Sequence, residues 1–351
     1  MKNTKKVLFA LLGLAFGGGL GVILAMHTDT AGELALSMLL LFAAGYTQLI
    51  LHEAGHLIAG LLSGYSFVSF RIGSLTLIKS RGRFRLARYR LAGTGGQCLM
   101  APPPLRNGDY PAMLYHLGGV IMNLLCAALA ALMLLWRGYS AWWLGTLVIG
   151  LVMACTNGIP LKTAAVDNDG RNALRGRREP DVRLGFYRQL QVNRGQADGM
   201  RLRDMPADWF ECAPGQEHER GYLRFQYLLD SGAYADARQY GARLLDCPMP
   251  GLHRALLEND LRCLALLAGE TPAVPDKVTR QLWKSMAATP SMLRGNYMAA
   301  LLWEHDTAKA EKLKAQFNKT LETYPYPGDI ATDAELIRKA QEKFKEGRDK
   351  A

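Results

Sequence analysis

The apolar segment 34–62 reads LALSMLLLFAAGYTQLILHEAGHLIAGLL and carries His52, Glu53 and His56 near its end. Histidines four residues apart lie on one face of an α-helix, so both imidazoles can bind the same zinc ion. A glutamate beside the first histidine can take a proton from water and pass it to a leaving amine. Such polar groups cost a few kcal/mol each in a membrane helix unless they face a polar interior. The pattern predicts Zn²⁺ bound by His52 and His56, with Glu53 as the catalytic base.

Four segments of the chain are apolar and long enough to cross a bilayer. A crossing needs about 20 apolar residues, because a helix rises ~1.5 Å per residue against roughly 30 Å of hydrocarbon. The segments are residues 7–26, 34–62, 112–136 and 141–161. The first has a basic start, as a cleaved signal peptide would, but Ala25, Met26 and His27 offer no clear small-x-small cleavage site. We therefore interpret it as a retained helix.

Basic residues are distributed unevenly among the connections between these segments. They precede the first segment, lie between the second and third, and follow the fourth, whereas the two remaining connections carry only Arg137. Lysine and arginine are retained on the cytoplasmic side, which predicts a multi-pass protein of the cell membrane with both termini in the cytoplasm. The net charge of +11 is explained by arginines beside anionic lipid, so no nucleic-acid partner is predicted. The basic residues are Lys2, Lys5 and Lys6; Arg71, Lys79, Arg81, Arg83, Arg85, Arg88, Arg90 and Arg106; and Lys162, Arg171, Arg175, Arg177 and Arg178.

Residues 67–91, after the second apolar segment, alternate between apolar and polar side chains. Ser80, Arg81 and Gly82 interrupt the alternation with residues typical of a turn. This pattern predicts a small β-hairpin at the cytoplasmic interface of the membrane. The glycines of 93–96 and the prolines of 102–104 predict a loop or re-entrant connection.

The chain from about residue 171 onwards is charged and predicted to be helical. Residues 223–229 and 235–245 form one predicted helical hairpin, and residues 292–303 and 308–322 form another. Such hairpins are similar to tetratricopeptide repeats, although the diagnostic residue pattern is incomplete. The charged tail, 335–350, is predicted to be a frayed helix.

The predicted fold is an all-α polytopic membrane protein with an interfacial β-hairpin and a soluble α-helical C-terminal domain. The predicted domains are a transmembrane metalloprotease domain, 1–170, and a cytoplasmic tetratricopeptide-like domain, 171–351.

A catalytic zinc site needs a third protein ligand, and residues near the end of the fourth segment can supply it. Thr156-Asn157-Gly158-Ile159-Pro160 is followed by Asp167-Asn168-Asp169-Gly170. A His-Glu-x-x-His helix followed by Asn-x-x-Pro and Asp-Gly resembles the site-2 protease family of intramembrane zinc metalloproteases. The resemblance implies that Asp169 completes the zinc site. The distance from the proline to Asp169 is longer than in the common form of the motif, which leaves Asp167 as a rival.

Gly118-Gly119-Val120-Ile121-Met122-Asn123 resembles the Gly-Pro-x-x-Asn element of the same family, with valine in place of proline. The resemblance implies that Asn123 orients the substrate. An asparagine in an apolar helix can equally form hydrogen bonds between helices, so both roles remain open. No PDZ-like insertion is apparent between the second and third segments, so the chain looks closer to the compact bacterial branch of the family than to its PDZ-bearing members.

The resemblance implies cleavage of a peptide bond in a membrane-embedded protein or peptide, either a membrane-bound regulator or a signal or leader peptide. The C-terminal helical domain is expected to bind a protein partner or to select the substrate. The alternative from another class is a membrane-anchored helical scaffold with a structural or degenerate zinc site. Glu53 argues against this alternative, because a structural zinc site has no need of a base.

Overall fold

The computed structural model describes residues 17–88, 95–161, 167–212 and 217–349, which are mostly helical and include one small antiparallel sheet. The helices are α1 (Gly17–Met26), α2 (Ala31–Leu62), α3 (Ala112–Arg137), α4 (Ala141–Gly158), α5 (Asp169–Arg178), α6 (Pro180–Ala197), α7 (Glu217–Asp230), α8 (Tyr234–Leu245), α9 (Gly251–Ala268), α10 (Lys277–Ser285), α11 (Pro290–Leu302), α12 (Thr307–Thr323) and α13 (Pro327–Asp349). The strands are β1 (Ser66–Ile72), β2 (Leu75–Ser80), β3 (Arg83–Arg88) and β4 (Gly96–Ala101).

Helices α2, α3 and α4 are each long and apolar enough to cross a membrane. Many of their apolar side chains are exposed, including Phe42, Leu62 and Leu135, as expected for surfaces that contact lipid. The three helices correspond to the predicted segments 34–62, 112–136 and 141–161. The first predicted segment, 7–26, lies within the described residues only from residue 17, where α1 is helical.

Helices α2 and α3 approach each other closely because both have glycine at their crossing. A Cβ atom on Gly55 would lie 2.3 Å from the carbonyl oxygen of Gly118, and a Cβ atom on Gly118 would lie 2.4 Å from the carbonyl oxygen of Gly55. Small residues let the backbones of membrane helices touch in this way. The crossing lies beside His52 and His56 and so brings α3 directly against the predicted metal ligands.

The sheet has the strand order β3-β2-β1-β4, and every pair is antiparallel. The predicted hairpin is present as β2 and β3, joined by a tight turn in which Arg81 and Gly82 both have positive φ, 48° and 80°. The prediction of a single hairpin was nevertheless incomplete, because β1 pairs with β2 and β4 pairs with β1. Residues 96–101 form a strand between the glycines and the prolines that predicted a loop. Their partner strand is distant in sequence, with Phe70 opposite Cys98, so local composition did not reveal the pairing.

The C-terminal helices pack around their own apolar core, which includes Phe225, Leu257 and Tyr297. Both predicted helical hairpins are present, as α7–α8 and α11–α12. The tail predicted to be a frayed helix is helical, as the second part of α13. The expected fraying was wrong for its first turns, because Leu336 and Ile337 are buried in this core. The predicted domain boundary after residue 170 falls inside α5.

One face of the sheet packs against these C-terminal helices. Val68 and Ile78 of the sheet form a buried cluster with Ala197 of α6. Ser69 and Tyr326 also share a hydrogen bond of 3.0 Å between their hydroxyl oxygens. The sheet therefore connects the end of α2 to the helical C-terminal part of the chain.

Candidate metal centre

His52, Glu53 and His56 lie in the last three turns of α2 and are buried, with 6–8% of each residue exposed. The helical spacing of four residues places the two imidazoles one above the other. Their Nε2 atoms are 3.2 Å apart, and their rings are nearly perpendicular. Both Nε2 atoms consequently point into the same small space inside the bundle.

The proton position on His56 is fixed by a backbone group of α3. The Nδ1 atom of His56 lies 2.8 Å from the carbonyl oxygen of Tyr115, which can only accept a hydrogen bond. Nδ1 therefore carries the proton, and in the neutral ring the lone pair of Nε2 is available to a metal ion. Tyr115 is itself held in place, since its hydroxyl donates to the carbonyl oxygen of Cys98 at 2.8 Å.

The proton position on His52 is fixed through two amide side chains. Asn123 donates from Nδ2 to the backbone oxygen of Gln48 at 3.1 Å and to its side-chain oxygen at 2.6 Å, which turns the Asn123 carbonyl oxygen towards His52. Nδ1 of His52 donates to that oxygen at 2.6 Å, and this leaves Nε2 of His52 free as well. Gln48 in turn donates to the carbonyl oxygen of Thr146 at 2.8 Å, so the hydrogen bonds connect α2, α3 and α4.

Asp169 reaches the two histidines from the first turn of α5. Its Oδ2 atom lies 3.1 Å from Nε2 of His52 and 3.4 Å from Nε2 of His56. The ligand atoms of the three residues all lie within 4.8 Å of one another, so the group could hold a metal ion.

Asn168 and Gly170 place Asp169 by joining the start of α5 to the end of α4. Asn168 caps α5 by accepting from the backbone nitrogen of Arg171. Its Nδ2 donates to the carbonyl oxygens of Thr156 and Ile159, at 2.7 and 2.6 Å. A Cβ atom on Gly170 would lie 1.9 Å from the carbonyl oxygen of Gly158, so only glycine permits this approach.

Asp167, the rival third ligand, has different partners. Its Oδ2 atom lies 2.7 Å from Nε of Arg171 and 3.6 Å from Nη1 of Arg175. These ion pairs direct the carboxylate towards the arginines of α5. Of the two aspartates, the structure brings Asp169 to the histidines and holds Asp167 with the arginines.

Glu53 lies against β4, on the side of the site that adjoins the sheet. A Cβ atom on Gly96 would lie 2.7 Å from both Cγ and Oε1 of Glu53, so glycine makes room for the carboxylate. The buried guanidinium of Arg71 donates to the carbonyl oxygen of Gly96 at 3.2 Å and so supports this end of the strand. Within the described residues, the Glu53 carboxylate forms no hydrogen bond, which leaves both of its oxygens able to accept one.

Asn123 was predicted either to orient a substrate or to form hydrogen bonds between helices. The structure shows it fully buried, with its amide bonded to His52 and Gln48. These contacts are hydrogen bonds between helices, the second of the two predicted roles. Contact between Asn123 and a substrate stays a prediction. The ring of His116, also in α3, lies against Phe186 rather than in the three-residue group.

Sequence reasoning missed several residues that shape the site. Gln48 could have been found, because it is a polar residue one turn before His52 in an apolar helix. Tyr115 could not have been found from the sequence, because it contacts His56 through its backbone carbonyl, which every residue type has. Gly96 belongs to a strand that local composition did not predict. The chain matches no protein-family model, no curated protein and no solved structure.

Proposed function

We propose that this chain is an intramembrane zinc metalloprotease of the site-2 type, in which His52, His56 and Asp169 bind one Zn²⁺. The observation that supports zinc is the spacing of the three ligand atoms. Zinc bonds of about 2.0–2.2 Å in a tetrahedron separate neighbouring ligand atoms by roughly 3.3–3.6 Å. The three separations here are 3.1, 3.2 and 3.4 Å, close to the edges of such a tetrahedron.

A catalytic zinc site has three protein ligands and one open position, and Gly119 supplies the open side here. A Cβ atom on Gly119 would lie 2.6 Å from the Nε2 atoms of both His52 and His56. Any larger residue at this position would therefore occupy the space beside the ligand atoms. Two neutral imidazoles and one carboxylate form a ligand set that zinc commonly takes in hydrolases.

Glu53 is the proposed general base and acid. Zinc in this site would supply a Lewis acid that activates water and polarises the peptide carbonyl. The Glu53 carboxylate, free of other hydrogen bonds within the described residues, accepts a proton from the attacking water. It then delivers that proton to the leaving amine. Asn123 and Tyr115 keep both histidines in the tautomer that leaves Nε2 unprotonated.

Strand β4 is the proposed docking edge for the substrate. It is an edge strand of the sheet and begins at Gly96, in contact with Glu53. A transmembrane substrate must unwind before it is cut, and its freed backbone groups have no water to bond in lipid. An extended peptide can satisfy these groups by pairing with a sheet edge. This edge would bring the scissile bond to the base.

The site is proposed to lie inside the membrane and to open towards the cytoplasm. Glu53 precedes the end of α2, at Leu62, by nine residues, which is about 14 Å at ~1.5 Å per residue. The basic residues of the sheet follow that end directly, and the positive-inside rule places them in the cytoplasm. With α1 retained, both termini lie on the same side.

The test compares the protein with its Glu53→Gln variant. The amide keeps the size of the side chain but cannot act as a base, and Glu53 is not one of the proposed ligands. We expect Glu53→Gln to retain one equivalent of zinc and to lose peptide cleavage by at least 100-fold, in line with the ~10²–10⁴-fold contribution of general acid–base catalysis. Metal analysis of purified protein gives the first quantity. Mass spectrometry of membrane peptides that accumulate in cells carrying only the variant gives the second.

Two outcomes would overturn this proposal in different ways. Zinc binding without any accumulated peptide would favour the helical scaffold with a structural site. Absence of zinc from the unmodified protein would remove the metal centre altogether.

A further inference from the structure

A second polar site lies in the C-terminal helices, away from the metal centre. It is a cavity of about 930 Å³, a size typical of ligand pockets. Its lining includes residues of helices α7, α9, α11 and α13, together with Ser74 in the turn between β1 and β2 and Arg88 at the end of β3. Its polar lining includes Asp260, Asp329 and Asp333.

The buried charges of this cavity do not balance. Arg294, which is 2% exposed, is the guanidinium in their midst. It pairs with Asp333 at 2.6 Å and with Asp260. Among the described residues, three carboxylates and this one guanidinium give a formal charge of −2. The other cation in the described part of the lining is Arg88, which stands on an exposed position at the end of β3.

Two of these carboxylates can still receive a cation. Asp329 accepts hydrogen bonds from two neutral donors, the Tyr324 hydroxyl at 2.5 Å and Nε2 of Gln196 at 3.2 Å. Asp333 pairs with Arg294 through Oδ1, and its Oδ2 has no hydrogen-bond partner among the described residues. The Asp333 side chain is nevertheless only 10% exposed. Because Asp333 lines the cavity, this oxygen can accept a hydrogen bond from a cationic group bound there, which would also offset the excess negative charge.

The pKa values of the carboxyls agree with this charge imbalance. Burial raises the pKa of Asp333 to about 7, even though Arg294 lowers it. Burial raises the pKa values of Asp260 and Asp329 as well. The guanidinium therefore compensates the three carboxylates incompletely.

We propose that this cavity binds a lysine or arginine side chain of an extended peptide, with Asp329 and Asp333 as its acceptors. The size of the cavity allows several neighbouring residues of the peptide to enter with the cation. Its position fits a segment that leaves the membrane beside β4, because Tyr326, three residues before Asp329, bonds Ser69 of β1. Identifying that peptide as the cytoplasmic part of the protease substrate rests on the proposed function. The binding of a cationic side chain in the cavity does not depend on protease activity.

The experiment uses the full-length protein in detergent, carrying Glu53→Gln so that bound peptides remain intact. A pool of unstructured twelve-residue peptides of random composition is passed over the immobilised protein, and the retained peptides are sequenced. The net charge of +11 attracts acidic peptides non-specifically, so enrichment of basic ones must come from a local site. We expect at least fivefold enrichment of lysine and arginine over the input pool.

Asp333→Asn and Asp329→Asn should each bring this enrichment to within twofold of the input. The matched control, Glu346→Gln, removes the same charge from an exposed position on the same helix, α13, and should leave the enrichment unchanged. Thermal unfolding of each variant verifies that it is folded. The proposal would be overturned if the retained peptides were not enriched in lysine and arginine. It would also be overturned if the Asp333→Asn variant enriched these residues as strongly as the protein that retains Asp333. Because the assay needs no cleavage, its result is independent of protease activity.

Discussion

At the scale of single residues, the proposed metal centre depends on hydrogen bonds that orient each histidine so that its Nε2 atom could bind a metal ion. Each Nδ1 atom donates to an oxygen of α3, and each Nε2 atom faces Asp169. Such outer partners fix the tautomer and the ring orientation of metal-binding histidines. The bond between Asn123 and His52 is therefore as much a part of the site as the imidazole itself.

The two aspartates near the start of α5 give the first prediction. Asp169→Ala should lower the zinc content of the purified protein below one tenth of an equivalent, because it removes one of three ligands. Asp167→Ala, the matched control two residues earlier, should keep a full equivalent, since it breaks only the ion pairs with Arg171 and Arg175. Metal analysis of both proteins checks this, and the reverse pattern would make Asp167 the ligand.

The second prediction concerns Asn123. Asn123→Ala removes the acceptor for Nδ1 of His52 and the donor to the side-chain oxygen of Gln48. We expect zinc affinity to fall by about 10–100-fold, the usual effect of losing an outer hydrogen-bond partner. Competition with a chelator measures the affinity. Cys126→Ala, on the same helix and outside these hydrogen bonds, should have an affinity within twofold of the unmodified protein.

At the scale of helices and strands, the site exists because three pairs of elements touch where glycine allows it. Gly55 meets Gly118 between α2 and α3, and Gly170 meets the end of α4. Gly96 brings β4 against Glu53. Each contact places one part of the site, α3, Asp169 or β4, next to the others. A larger side chain at any of these glycines would move that part of the site away.

The third prediction tests the crossing of α2 and α3. Gly55→Ala places a Cβ atom 2.3 Å from the carbonyl oxygen of Gly118, so the helices must separate. Overpacking of this kind costs about 1–3 kcal/mol. We expect a lower unfolding temperature in detergent together with weaker zinc binding. Gly32→Ala, on the same helix with only Thr30 Oγ1 at 3.9 Å, is the control and should change neither quantity. An unaltered unfolding temperature in Gly55→Ala would contradict the close approach.

At the scale of the whole molecule, the sheet connects the bundle of apolar helices to the C-terminal helices. One end adjoins Glu53 in α2, and one face packs on the C-terminal helices through Val68, Ile78 and Ala197. Arg85 adds hydrogen bonds to the carbonyl oxygens of Tyr324 and Pro325, directly before α13. A protein partner or substrate segment held by the C-terminal helices would thus lie close to the strand that borders Glu53, the proposed catalytic base. Selection of substrate by these helices stays a prediction.

The fourth prediction concerns orientation in the membrane. Ser80 ends β2 beside the arginine-rich sheet, and Ser140 precedes α4 at the other end of the bundle. A membrane-impermeant thiol reagent added to intact cells should label Ser140→Cys and leave Ser80→Cys at the level of the unsubstituted protein. That protein, with its native cysteines, provides the background. Labelling of Ser80→Cys from outside would reverse the proposed topology.

The sequence by itself determined the local features of this protein. Apolar segments longer than 20 residues predicted α2, α3 and α4, because hydrophobic length and helical rise are properties of a segment alone. The spacing of His52 and His56 predicted a common face, since it depends only on the helical period. The turn at Arg81 and Gly82 followed in the same way from short-range backbone preferences.

Only the tertiary structure decided which distant groups meet. It separated Asp169 from Asp167, which have the same side chain two residues apart. Asp169, in the first turn of α5, faces the histidines, whereas Asp167, before the N-cap of α5, pairs with arginines of that helix. It added β4 to the sheet and gave Asn123 its partners. It also enclosed three carboxylates around Arg294. These results depend on contacts between residues far apart in sequence, where packing and charge, rather than local pattern, determine which side chains face each other.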